Sequence, residues 1–296
     1  MFRDGALKMP DGVTIPFWGF ADPRAAADLR ALPSPVIRVR EGERVQIKLE
    51  MDGDATSTGR TDVKSHIYQW QPKSAGTWLY QSHASSLRQF EMGLFGLLIV
   101  DPEPDAGGKP RAYRDGPSYD VERCWVFDDV DPSWHGGGAA GAALTQPPAD
   151  ATFAPKYFLV NGVANVEAHD HPEVAIEARP GDKILLRLLN ASFSLMRTRI
   201  EGLSGNIISV DGKALAGANR PWSKWSPIAP GQPVYMATGA RHDCLIDLGA
   251  AANPVMPGQE FLVSFEFLDW SKRAVRNLDA AAPLNIGRAT TRIRVV

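Results

Sequence analysis

The sequence predicts an all-β protein built as two β-sandwich domains. Three observations carry this: alternating strand patterns, a strand–turn–strand motif that occurs once in each half, and no long amphipathic helical pattern. The stretch 36–50, VIRVREGERVQIKLE, alternates apolar and polar residues on both sides of a Glu-Gly turn. That period puts the apolar side chains on one face of a sheet. The stretch 174–190, VAIEARPGDKILLRLLN, repeats the arrangement around Pro180-Gly181. Gly42 and Gly181 supply the positive φ that such turns need at little steric cost.

Shorter strands follow in order. Residues 157–162, YFLVNG, end in Asn-Gly, and residues 206–212, NIISVDG, end in Asp-Gly. Both dipeptides favour two-residue hairpin turns. Residues 241–248, 260–267 and 290–296 complete the second set. Residues 25–32, AAADLRAL, read as a short helical turn or two. The Pro- and Gly-rich run 101–111, DPEPDAGGKPR, reads as an extended connector. It divides the chain into a first domain over 1–118 and a second over 119–296. A further low-complexity run, GGGAAGAA at 136–143, reads as a mobile loop inside the second domain.

Composition narrows the function classes. The chain has 296 residues, 44% hydrophobic and 22% charged, with a formal net charge of -2. These values suit a soluble globular protein and argue against nucleic-acid binding through bulk charge. No apolar run approaches the roughly 20 residues that span a bilayer. Residues 1–10 contain no apolar signal-peptide core. Of the two cysteines, Cys124 lies in CWVF and Cys244 in CLIDL, both strand-like runs, so buried free thiols are expected rather than a disulfide.

The most informative stretch is 76–100, GTWLYQSHASSLRQFEMGLFGLLIV. It resembles the multicopper oxidase pattern of a Gly-Thr-aromatic strand, a His-x-His pair, a Gly-Leu-x-Gly turn and a closing apolar strand. The opening PSPVIRVREGERV at 33–45, RLLNAS at 187–192, ISVDG at 208–212 and IAPGQPV at 228–234 are similar to other segments of that superfamily, in the same order. The resemblance covers nearly the whole chain. It implies two cupredoxin-like Greek-key sandwiches, copper as cofactor, oxidoreductase chemistry, homo-oligomers that share ligands, and a periplasmic or extracellular location.

The copper ligands depart from that pattern. The family's blue type 1 centre needs a Cys thiolate, two His and usually an axial Met. Its oxygen-reducing cluster needs eight His in four His-x-His pairs; two residues apart on a strand, such a pair shares a face. This chain has six histidines and no His-Cys-His. The first His pair is missing from MDGDATSTGRTDVKSH at 51–66, and the second has become Gln81-Ser82-His83. FSLMRTRI at 193–200 stands where copper-bearing second domains place histidines.

His83 is therefore the first candidate metal ligand by resemblance, against the alternative of a hydrogen-bonded relic. His66, on the preceding strand SHIYQW, is the second, and its alternative is a solvated strand residue. The two with water, or with Gln81, would make a sparse mononuclear site, and imidazole suits copper or zinc. His169-Asp170-His171 has ligand spacing but reads as a surface turn. His242 and Cys244 share a strand face, yet the strand fills a structural position in the family. His135 could reach a site between domains. Met92 reads as core filler. Glu91, Asp128 and Asp129 are acids near the interdomain cleft, and Trp222 and Trp225 lie in a loop able to line a groove.

Three functions stay open. One is a copper protein with degenerate sites, binding at most one copper per chain and lacking laccase activity. Another is a metal-free binding or scaffold module with a groove at Trp222 and Trp225. The third is a copper oxidoreductase whose site is completed by oligomerisation.

Overall fold

The computed structural model describes residues 2–22, 24, 32–50, 65–83, 86–135, 153–165, 167–217, 224–278 and 283–296. The expected helical turn at 25–32 (all but Leu32), the segment 51–64, the loop at 136–143 and Trp222 lie outside the described residues.

The first part of the chain contains β1 (Phe2–Lys8), β2 (Thr14–Phe20), β3 (Ser34–Arg40), β4 (Val45–Glu50), β5 (Ser65–Trp70), β6 (Gly76–Gln81), the short helix α1 (Ser86–Glu91) and β7 (Phe95–Asp101). β1 and β2 form one antiparallel pair and β4 and β5 another. β7 lies between β3, which it pairs in parallel, and β6.

The remainder contains β8 (Val121–Val130), β9 (Tyr157–Val160), β10 (Val163–Ala164), β11 (Ile176–Ala178), β12 (Lys183–Asn190), β13 (Leu195–Ile200), β14 (Gly205–Val210), β15 (Lys213–Ala214), β16 (Ser226–Ile228), β17 (Val234–Met236), β18 (Arg241–Asp247), β19 (Glu260–Asp269), β20 (Ala274–Val275) and β21 (Arg288–Val295). They make two sheets. The larger runs β10-β9-β8-β12-β18-β14-β15, with β16 on β14. The smaller runs β11-β21-β19-β13-β17, with β20 on β19. Trp125, Phe127, Leu186, Leu188, Cys244 and Ile246 of the larger sheet meet Met196, Phe265, Phe267 and Ile293 of the smaller in one core. The chain is all-β in sandwich layers, as its sequence pattern predicts.

The larger sheet is covered on its other face too. Val126, Val130, Leu159 and Leu189 pack against Ile15, Phe17, Phe95 and Leu97 from the first part of the chain. Burial on both faces explains why KILLRLLN of β12 lacks alternation: seven of its eight residues are buried. The smaller sheet has a solvent face, and β13 accordingly alternates between half-buried and buried positions.

Both predicted hairpin turns form. Asn161 and Gly162 take φ of 53° and 76° between β9 and β10, and Asp211 and Gly212 take 51° and 73° between β14 and β15. Two consecutive positive φ values define the turn that matches strand twist. Gly162 is further constrained, because a Cβ there would lie 1.7 Å from the Leu32 carbonyl oxygen.

Candidate metal residues and the buried ionic junctions

His83 stands two residues beyond β6 and is exposed; the Ser82 N–H before it donates to the Leu94 carbonyl. His66 is exposed on β5 with its ring edge-on to Tyr68, centroids 4.6 Å apart. They belong to different strand pairs, β4–β5 and β6–β7. Among the described residues no three His, Cys, Asp or Glu side chains gather in a way that could hold a metal ion. The described donor set therefore does not fit a copper centre with three or four protein ligands.

The other candidates have structural partners. His169 Nδ1 lies 3.1 Å from Thr290 Oγ1, and His171 Nδ1 accepts the Glu173 N–H, in the turn expected there. Met92 is core, as expected, at 1% exposure. Trp225 donates from Nε1 to Tyr113 Oη and packs beside the cluster of Tyr113, Tyr119, Leu185 and Leu245. His242 is half-buried and its Nδ1 is shielded without a hydrogen-bond partner among the described residues.

Both cysteines are free thiols, as expected. Cys124 pairs in register with Arg187 of β12, and Cys244 with Leu186 on the other side of that strand. They are thus two strands apart, roughly 10 Å, which exceeds disulfide reach. Burial pushes the Cys124 thiol up to about 12 and raises Cys244 as well. Neither is poised as a thiolate. A thiol reagent should accordingly leave Cys244 unmodified and react slowly with the half-buried Cys124 in the native chain, and should modify both rapidly after unfolding in urea; modification of Cys244 in the native chain would contradict its burial.

Two ionic junctions are buried between the first part of the chain and the larger sheet. In one, Arg187 of β12 is fully shielded. Its Nε donates to Glu122 Oε1 at 2.6 Å and its Nη1 to Thr77 Oγ1 at 2.9 Å. Thr77, on β6, donates its hydroxyl hydrogen bond to Asp243 Oδ1 at 2.5 Å. Asp243 Oδ2 stands 3.8 Å from Arg187 Nη1. Burial alone would raise Glu122, but Arg187 and Arg38 outweigh it and hold that carboxyl below its usual range. Burial wins at Asp243, which is raised despite Arg187.

The other junction joins α1 and β2 to the end of β8. Its members Glu91, Asp128, Asp129, Asp131 and His135 are all buried. His135 Nδ1 lies 2.7 Å from the Pro16 carbonyl, which can only accept, so Nδ1 carries a proton. His135 Nε2 lies 3.2 Å from Glu91 Oε1, which also accepts the Asp131 N–H at 3.0 Å. Burial lowers His135 to about 4, and burial with the charges of Asp129 and Asp131 raises Glu91 well above its ordinary value. The pair is therefore neutral: Glu91 keeps its proton and donates it to Nε2. Burial and Glu91 likewise raise Asp128, whose Oδ2 has no hydrogen-bond partner among the described residues. Asp129 rises to about 6 by burial, against hydrogen bonds from Ser194 and Phe193.

The sequence pointed to Glu91, Asp128, Asp129 and His135, but not to Asp131 and not to their pairing, because the contacts span 119 positions from Pro16 to His135. Arg187 escaped notice. Its signal was a lone charge inside an otherwise apolar strand.

No protein-family model matches the chain. It is 25% identical to copper resistance protein A of Escherichia coli over 62% of this chain and 38% of that protein. It is 22% identical to the copper-containing nitrite reductase of Neisseria meningitidis over 64% of this chain and 48% of that protein. The chain thus spans less than half the length of these curated relatives. Blue copper oxidase from Nitrosomonas europaea superposes with a TM-score of 0.61 at 18% identity, over 99% of this chain and 83% of that one. Other matching structures are also multicopper oxidases and copper nitrite reductases. The chain has the cupredoxin-like fold those proteins share.

Proposed function

We propose that this cupredoxin-fold chain is a copper protein with degenerate sites, divided at 118/119, that binds at most one copper, through His83 and His66, and does not carry out laccase-type oxygen reduction. The observation that carries this is the state of the two cysteines. A type 1 centre takes electrons in through a copper thiolate. Here burial raises both thiols away from the thiolate form, Cys244 being buried and Cys124 half-buried in the larger sheet. With six histidines, an eight-imidazole cluster cannot be assembled within one chain. The absence of a three-ligand group among the described residues favours a second reading, a metal-free binding module on the same fold.

Metal analysis after copper(II) loading and exhaustive dialysis separates the readings. About one copper per chain, lost in His83→Ala, is the expected result, with weak absorption and no thiolate band. Less than about a tenth of a copper, or copper indifferent to His83→Ala, favours the metal-free module. An intense blue band with oxygen consumption, particularly in an oligomer, would overturn both.

A further inference from the structure

We infer that the outer face of the β13–β19–β21 layer is a binding site for a phosphate group. The stretch LMRTRI of β13 turns Met196, Thr198 and Ile200 into the core and Arg197 and Arg199 outward. In register across the sheet, Arg197 lies beside Glu266, and Glu266 beside Arg288. One row along, Arg199 lies beside Ser264, and Ser264 beside Thr290. Strand spacing brings the three arginine backbones within roughly 10 Å of one another.

Glu266 forms the floor of the face at 8% side-chain exposure. Its Oε2 accepts from Arg197 Nε at 2.5 Å and its Oε1 from Arg288 Nη2 at 2.7 Å. One carboxylate thus pins two guanidiniums from below and restricts their rotamers before any ligand arrives. Arg199 is less satisfied. Its Nε is shielded from solvent and lies 3.9 Å from Glu266 Oε2, too far for a hydrogen bond, and Arg199 makes none among the described residues. Three guanidiniums against one carboxylate leave two positive charges, matching a phosphate near −2 at neutral pH. The neighbouring Arg292 and Arg294 are already paired with Asp170, Glu260 and Glu177, which confines the excess to the Arg197–Arg199–Arg288 end. Guanidinium forks suit phosphate oxygens, and Ser264 stands beside Arg199 in register to offer a hydroxyl, while Thr290 Oγ1 lies against His169.

Calorimetric titration of the full chain with inorganic phosphate at low ionic strength, against chloride of matched ionic strength, tests the site. Saturable one-to-one uptake is expected, weakened about tenfold or more in Arg199→Gln and abolished in Ser264→Asp. Arg199 makes no hydrogen bond here, so the unfolding midpoint in chloride should be unchanged in Arg199→Gln, and Ser264→Asp tests the same face from another strand. Phosphate also stabilises proteins by exclusion from their surface, an effect that would persist in both variants. No saturable uptake by the wild type, or equal uptake in wild type and variants, would overturn the site.

Discussion

Replacing Arg187 with Met should lower stability by about 3–5 kcal/mol, seen as a large fall in the urea midpoint of tryptophan fluorescence. Arg187 is fully buried and is the cation facing Asp243, itself only 1% exposed. Deleting the cation strands a buried carboxylate and leaves the Thr77 hydroxyl without its donor. Glu122 suffers less, because Arg38 still reaches it at 2.7 Å. Arg38 makes a useful control. Its side chain is 44% exposed, so Arg38→Met should cost under about 1 kcal/mol. Adding Asp243→Leu to Arg187→Met should restore part of the loss, since the stranded charge goes with it. A loss below about 1 kcal/mol in Arg187→Met would show that the junction does not hold β6 to the larger sheet.

The second large effect is on pH dependence: stability should be highest near about pH 4 and decline as pH rises above it. Glu91 and Asp128 have folded pKa values above their unfolded ones. Their contribution is complete below about pH 4 and is lost as pH rises through the folded values. Asp129, at about 6 when folded, loses its share between its unfolded value and about 6. His135 runs the other way. Its folded value of about 4 lies below its unfolded one, so its contribution is complete above about 6.5 and lost as pH falls toward 4. The Asp129 and His135 changes are each roughly 3 kcal/mol and largely offset over the same window. The losses from Glu91 and Asp128, which begin at about pH 4, then have nothing to balance them. Arg88 faces the junction with its guanidinium on the Trp134 carbonyl, and Arg276 faces Asp129. Asp128→Asn should therefore flatten the alkaline limb and exceed the wild type by about 1–3 kcal/mol near pH 9. Urea unfolding of both chains at several pH values checks this; parallel profiles would show that Asp128 does not titrate within the fold.

Much of the architecture was legible locally. Alternation marked β3 and β4, because one-faced burial imposes a period of two on side chains. Asn161-Gly162 and Asp211-Gly212 announced their hairpins, since few other residues accept two successive positive φ values. The six histidines, the lone His83 and the isolated cysteines could be read directly, because ligand identity is a property of sequence.

Other features belonged to the tertiary structure alone. Nothing local showed that the larger sheet is covered on both faces; that depends on Ile15 and Phe17 reaching it from the first part of the chain. The same covering decides the protonation of Glu91, Asp128 and the Cys124 thiol, while Cys244 is buried in the core between the two sheets, because desolvation is set by what packs on a group and not by its neighbours in sequence. The pairing of Arg187 with Asp243 joins two strands of one sheet, while Thr77 joins them from 110 residues away. The cation-rich outer face likewise needed the register that sets Arg197, Glu266 and Arg288 side by side. Sequence determined which donors and charges the chain possesses; the fold decided which meet, because each meeting here is a long-range contact made when sheets pair and pack.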